Sequence, residues 1–224
     1  MKVDLWLAKL DQLPNEDGRY LSEEEQSLAS RFLHKKYQTH FINRRSILRK
    51  LLSSYLSIKP NEIVIQQTKL GKPYVTNEGA RIYFNTSHSK NYVLYGFSLE
   101  AELGVDIEFI DAEIEAELIS THFFCSEEIR LIHSSEGKKK SEAFFRLWCI
   151  KEAFIKLEGK GLTYPLDQVL VKDAMNNPRL EIPLEKGSQD ILRHSVRYSD
   201  WSGDFGIGVA VVGDELEVDY KIYE

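Results

Sequence analysis

The chain has 224 residues, 42% of them hydrophobic and 11% aromatic, enough to bury a sizeable core as one large domain or two small halves. Charged residues make up 29%, and ordinary glycine and proline counts argue against long disorder. A net charge of −6 argues against nucleic-acid binding by the whole molecule, and two cysteines, Cys125 and Cys149, exclude a secreted disulfide framework and lack zinc-ligand spacing.

The opening Met1-Lys2-Val3-Asp4-Leu5-Trp6-Leu7 alternates apolar and polar residues as a first strand does. Asp4 and Lys9 break it well short of a signal-peptide core, and no run approaches transmembrane length. The expectation is a soluble cytoplasmic protein with no membrane association. Ser22 caps a helix, and Glu25 closes a capping box with it. A longer helix is expected over residues 38–56, with Phe41, Leu48, Leu52 and Tyr55 on one stripe. Between Arg31 and Lys50 stand seven basic residues and no acidic one, so the rest of the chain carries −13. Such a patch suits a small phosphorylated ligand or an acidic protein, or is a solvated helix face.

Ile63 to Gln66 reads as a strand and Gly71-Lys72-Pro73 as a turn. Strands follow at residues 81–87, 92–99 and 103–108. Ser126-Glu127-Glu128 opens a short helix, and Ser141 begins a longer one that stops at Gly159-Lys160-Gly161. The Gly137-Lys138-Lys139-Lys140 run reads as a polar loop. Short strands are expected near Val169, Leu180 and Val196, and a last apolar strand over residues 205–212. Mixed helices and mostly antiparallel strands indicate the α+β class, with halves at 1–102 and 103–224.

Three constellations could carry chemistry. Asp106 and Glu108, two apart on a strand, share one face, with Val105 and Ile107 on the other. Paired carboxylates repel unless a cation lies between them, and oxygen-only ligands suit Mg²⁺ or Ca²⁺; the alternative is an ordinary solvent-facing strand. Trp148, Glu152 and Lys156 follow in steps of four on one helical stripe, flanked by Phe144, Leu147, Phe154 and Ile155. Charges on so apolar a helix need a reason beyond a surface ion pair. Asn85-Thr86-Ser87-His88-Ser89 ends an alternating strand, where polar side chains and free amides can face a ligand.

Taken together, Gly71-Lys72-Pro73, Phe84-Asn85-Thr86-Ser87-His88-Ser89, Gly104-Val105-Asp106-Ile107-Glu108 and Trp148 through Lys156, then Gly159-Lys160-Gly161, resemble the surfactin-synthetase-activating (Sfp-type) phosphopantetheinyl transferases in order and spacing. The resemblance covers essentially the whole chain. It implies two similar α/β halves with the active site in the cleft between them. It further implies that Asp106, Glu108 and Glu152 hold Mg²⁺ against the pyrophosphate of coenzyme A, and that Lys156 contacts the phosphates. Lys72, Pro73, Ser87 and His88 would help bind the nucleotide end, with positive charge added by the segment around Arg31 to Arg45, through His40, Arg44 and Arg45. The class carries an arginine at the position that aligns with His40, and a histidine there is only partly charged near neutral pH.

The reaction so implied is attack by a serine hydroxyl of an apo acyl or peptidyl carrier protein on the pantetheine-side phosphorus, with 3′,5′-ADP leaving. Such transfers ask the protein mainly for positioning and charge stabilisation, and Glu152 is the candidate base, with Asp106 and Lys156 the other catalytic groups. A monomer is expected, since two halves in one chain already make a cleft. A non-catalytic carrier-binding module of the same fold is the competing reading, opposed by the presence of all three carboxylates and Lys156. No Gly-x-x-x-x-Gly-Lys-Ser/Thr loop supports a different nucleotide enzyme.

Overall fold

The structure, a computed structural model, describes residues 1–182 and 194–224. Strand β1 (Lys2–Lys9) alternates as the sequence predicts, burying Val3, Leu5 and Leu7 on one face. Helix α1 (Glu23–Ser30) opens with the expected capping box: Glu25 N donates to Ser22 Oγ, and Ser22 N donates to the Glu25 carboxylate. Helix α2 (Lys35–Leu56) begins one turn earlier than the pattern indicates and ends at Ser57.

Strands β2 (Ile65–Gln67) and β3 (Pro73–Val75) form a small hairpin around the Gly71 turn, and β3 is one element the sequence reading lacks. Then come β4 (Tyr83–Ser89), β5 (Tyr92–Ser98) and β6 (Leu103–Phe109), each within two residues of its expected position. Helix α3 (Ala116–Phe123) was not expected; α4 (Ser126–His133) was.

Helix α5 (Lys138–Glu158) corrects the reading of the lysine run as a loop. Gly137 turns the chain, and Lys138 and Lys140 form the first turn of α5, paired with Glu142 and Glu117. Those acidic partners offset the unfavourable placing of cations at a helix N-terminus. Strands β7 (Leu170–Lys172), β8 (Arg179–Glu181), β9 (His194–Trp201) and β10 (Phe205–Val212) match expectation, but β10 is not the last strand. That is β11 (Glu217–Tyr223).

The first sheet runs β11-β1-β5-β4 and the second β6-β10-β9-β8-β7. Pairings are antiparallel except β1 with β11, which are parallel from Lys2↔Glu217 to Ala8↔Tyr223. The inner faces of both sheets share one core, built from Val3, Leu5 and Leu94 on one side and Val105, Ile107 and Val209 on the other. Each such fully buried side chain contributes roughly 1.5–3 kcal/mol of transfer free energy. Helix α2 covers the outer face of the first sheet through Ile47, Leu48, Leu51 and Leu52, and α5 covers the second. The mixed α+β class is as expected. Among the described residues, no helix is long and apolar enough to cross a membrane.

Candidate active site

β4 is an edge of the first sheet and β6 an edge of the second, and the two edges meet along a seam bonded by side chains. Asn85 Oδ1 accepts from Val105 N at 3.1 Å, Ser87 Oγ donates to Asp106 Oδ1 at 2.8 Å, and Ser89 Oγ donates to Glu108 Oε2 at 2.8 Å. Ser89 Oγ also accepts from Phe109 N at 3.0 Å. These three residues alternate along β4, so they share its seam-facing side, while His88 falls on the other. Period two thus divides the motif into rungs and a histidine that lines the neighbouring cleft.

Helix α5 reaches the seam because glycine clears its path. A Cβ on Gly104 would lie 2.0 Å from Ala153 O, and one on Gly208 would lie 2.1 Å from Cys149 O. Gly208 stands opposite Asp106 in the β6–β10 ladder, so backbone and helix meet where the acid projects. Two turns on from Cys149, Lys156 Nζ donates to Asp106 Oδ1 at 2.7 Å and to Ser87 Oγ at 2.9 Å. Trp148, at the head of the predicted stripe, is a packing residue: its ring stacks on Phe144 at 5.7 Å.

The three carboxylates crowd one another. Burial first, and then the charges of Asp106 and Glu108, push the Glu152 carboxyl up to about 7, against the pull of Lys156. Burial and Asp106 raise Glu108 as well. Asp106 is 1% exposed, and its Oδ2 is buried without a hydrogen-bond partner. As they stand, no three His, Cys, Asp or Glu side chains among the described residues are drawn together tightly enough to enclose an ion. The donor set nevertheless fits a hard divalent cation: oxygen ligands only, one of them orphaned, two raised by burial and then by like charge.

Beside the seam lies a cleft of about 820 Å³, lined by His40, Arg44, His88 and Glu108 among others. Arg44 Nε is buried there with no partner, and burial followed by neighbouring Arg45 lowers the guanidinium's proton affinity. Partial burial, then Arg44 and Lys156, depress His88 to about 4, so its imidazole is neutral at pH 7. An arriving phosphate would raise it. His40 Nε2 lies 2.6 Å from Asp11 Oδ1, so an acid on the first half already engages it.

The remaining predicted residues lie elsewhere. Arg45 sits 3.7 Å from Glu25 and over the Phe41 ring, and Arg49 is buried against Glu25, Pro60 O and Ile63 O. Arg45, Arg49 and Lys50 of the basic run are thus paired with acids of the protein, while Lys36 and Arg44 of that run, together with His40, line this cleft. Lys72 and Pro73 line a second cleft, of about 1090 Å³, that His88 and Arg44 do not reach.

Two family models match the chain: a 4′-phosphopantetheinyl transferase N-terminal model over residues 6–98, and the 4′-phosphopantetheinyl transferase superfamily model over residues 102–210. The chain is 31% identical to the 4′-phosphopantetheinyl transferase HetI of Nostoc sp. over 166 residues, 72% of this chain and 70% of that protein. It belongs to the 4′-phosphopantetheinyl transferase family. Similar relatives include the transferases gsp of Aneurinibacillus migulanus, 32% identical over 70% of this chain and 67% of that one, and Sfp of Bacillus subtilis, 30% identical over 68% and 66%. The first matched segment brings β4 to the seam of this transferase and α2 to the cleft beside it, and the second brings β6, α5 and β10.

Sequence reasoning missed the rungs Asn85 and Ser89 and the clearance at Gly208. The alternating glycines of Phe205-Gly206-Ile207-Gly208 were the available signal, because glycine inside an apolar strand marks close approach of another backbone.

Proposed function

We propose that this transferase uses Asp106, Glu108 and Glu152 to hold Mg²⁺ while it moves the 4′-phosphopantetheine of coenzyme A to a carrier-protein serine. The observation that carries the reading is the buried, partnerless Asp106 Oδ2 in a crowd of carboxylates beside a cleft that Arg44 and His88 line. When bound, the ion would neutralise charge on the pyrophosphate and leaving group. Arg44 and neutral His88 would bind phosphate oxygens in the cleft. Lys156 has one N–H left after Asp106 and Ser87 and would donate it to the pyrophosphate. As the serine Oγ–P bond forms, its proton passes to a Glu152 oxygen, the P–O bond to 3′,5′-ADP breaks, and the departing phosphate takes the electron pair. Intact-mass measurement of several apo carriers incubated with the protein, coenzyme A and Mg²⁺ tests the reading: one phosphopantetheine is gained per carrier. A folded protein that modifies none of them would end it.

The crowding predicts a pH effect. Glu152 is raised on folding from 4.5 to about 7, so its stabilising contribution is whole below about pH 4.5 and lost as pH climbs through about 7. Without divalent ions, Glu152→Gln should therefore melt above wild type at about pH 8 and alongside it at about pH 4. Mg²⁺ should raise the wild-type Tm at the higher pH and leave the variant's nearly unmoved. Equal differences at both pH values would remove the electrostatic account.

Arg44→Met should raise the KM for coenzyme A about tenfold, the cost of one charge-assisted hydrogen bond, with kcat within about threefold. Arg45→Met, turned toward Glu25 and Phe41, should leave KM alone. Equal effects of the two in steady-state kinetics would place the ligand elsewhere.

A further inference from the structure

We propose that Lys72 is a positioning residue for the catalytic helix, its ammonium fastening the last turn of α5 so that Lys156 stays against Asp106. The proposal rests on the transferase reading for the role of Lys156. A helix leaves its final carbonyls without partners inside the helix, and a cation at that end also complements the helix dipole. Lys72 Nζ donates to one of those carbonyls, Leu157 O, at 2.6 Å, and to Glu102 Oε2 at 2.5 Å. Leu157 follows Lys156 directly, and Glu102 precedes β6, the strand that carries Asp106. One ammonium therefore joins the end of the helix to the root of the strand, and their side chains must meet a few residues away.

The turn that presents Lys72 is itself held. Lys72 N donates to Thr68 Oγ1 at 3.1 Å, Lys72 O accepts from Thr68 N at 2.9 Å, and Gly71, at φ +90°, lets the chain reverse. Pro73 then fixes the start of β3. At the other end, Gly159 leaves α5 at φ +68°, and the lysine stem lies across it: a Cβ there would sit 3.2 Å from Lys72 Cδ. The side chain is only 17% exposed, and both of its acceptors belong to the protein. A lysine so engaged acts on turnover through Lys156 rather than on coenzyme A directly.

Three measurements on Lys72→Met and Lys72→Arg test this: amide hydrogen exchange across residues 154–160 in the substrate-free protein, calorimetric Kd for coenzyme A, and kcat with an apo carrier. Lys72→Met should speed exchange in the last turn of α5 and lower kcat about tenfold, with Kd changed less than about threefold, the scale of one lost charge-assisted hydrogen bond. Lys72→Arg, which can still donate to Leu157 O, should recover most of the turnover. A tenfold weaker Kd with unaltered exchange would make Lys72 a ligand residue and overturn the proposal; so would a lowered Tm with kcat intact. An inactive wild type would instead sink the transferase reading, and the exchange result would still decide the latch. Should Lys72→Met fail to fold, Lys72→Gln carries the same comparison.

Discussion

Asp106→Asn should cost on the order of 10²- to 10³-fold in kcat, the scale on which removing one preorganised electrostatic group slows transfer, while the protein keeps its fold. The isosteric amide still accepts from Ser87 Oγ and Lys156 Nζ, so the seam retains its rungs. Its neutral amide puts an NH2 group, not an anionic oxygen, where Oδ2 now lies buried and partnerless. The crowding is also relieved, because Asp106 is the largest charge cause of the raised Glu152 carboxyl and of the raised Glu108 carboxyl. Without divalent ions, the variant should melt no lower than wild type, and Glu152, followed by NMR titration, should move down from about 7. Near-normal turnover would remove Asp106 from the chemistry. A collapsed Tm would say that its role is packing.

Gly208→Ala should, like Gly104→Ala, be among the most damaging single methyls in the described residues. The new Cβ would lie 2.1 Å from Cys149 O and 2.4 Å from Cys149 C, both backbone atoms of α5. No rotamer change relieves that overlap, so the helix must lift from the sheet, at a cost of about 3 kcal/mol or more, the upper end for overpacking. Because Glu152 and Lys156 ride on the same helix, turnover should fall even in the fraction that stays folded. Gly206→Ala provides the contrast. Its Cβ meets Tyr198 Oη at 2.8 Å and Cys149 Sγ at 3.3 Å, side-chain ends that can move, and it should melt well above Gly208→Ala. Thermal unfolding of the pair decides the matter; equal losses would mean that helix-to-sheet approach does not control the site.

The sequence carried the local features well and the long-range ones poorly, for physical reasons. The Ser22–Glu25 capping box, the alternation of β4 and the face shared by Asp106 and Glu108 follow from spacings of two to four residues, and each stands where expected. The i, i+4 step from Glu152 to Lys156 likewise fixed which face of α5 meets the acid. Hidden from it was the use of Ser87 and Ser89 as rungs, because each bonds a residue nineteen positions away. Nothing local marks such a partner.

The basic segment misled in part. Its charges are real, but Arg49 and Lys50 are spent on Glu25 and Glu16, acids placed earlier in the chain. Only the fold shows that Arg44 is left facing the cleft. Helix α3 and strand β11 were legible in principle, β11 through the alternation of Val218, Tyr220 and Ile222 with charged neighbours. Its parallel pairing with β1 was not, since that partner lies at the far end of the chain.

That pairing governs how the molecule can be assembled. A ribosome finishes β1 more than two hundred residues before β11, so the earliest strand waits with one border open while everything between is made. Contacts this distant slow folding and couple distant parts into a single cooperative event. Severing the chain between its halves would therefore not yield two tidy pieces. The leading fragment would keep a raw strand border inviting intermolecular pairing, and the trailing one would hold a strand with nothing to lie against.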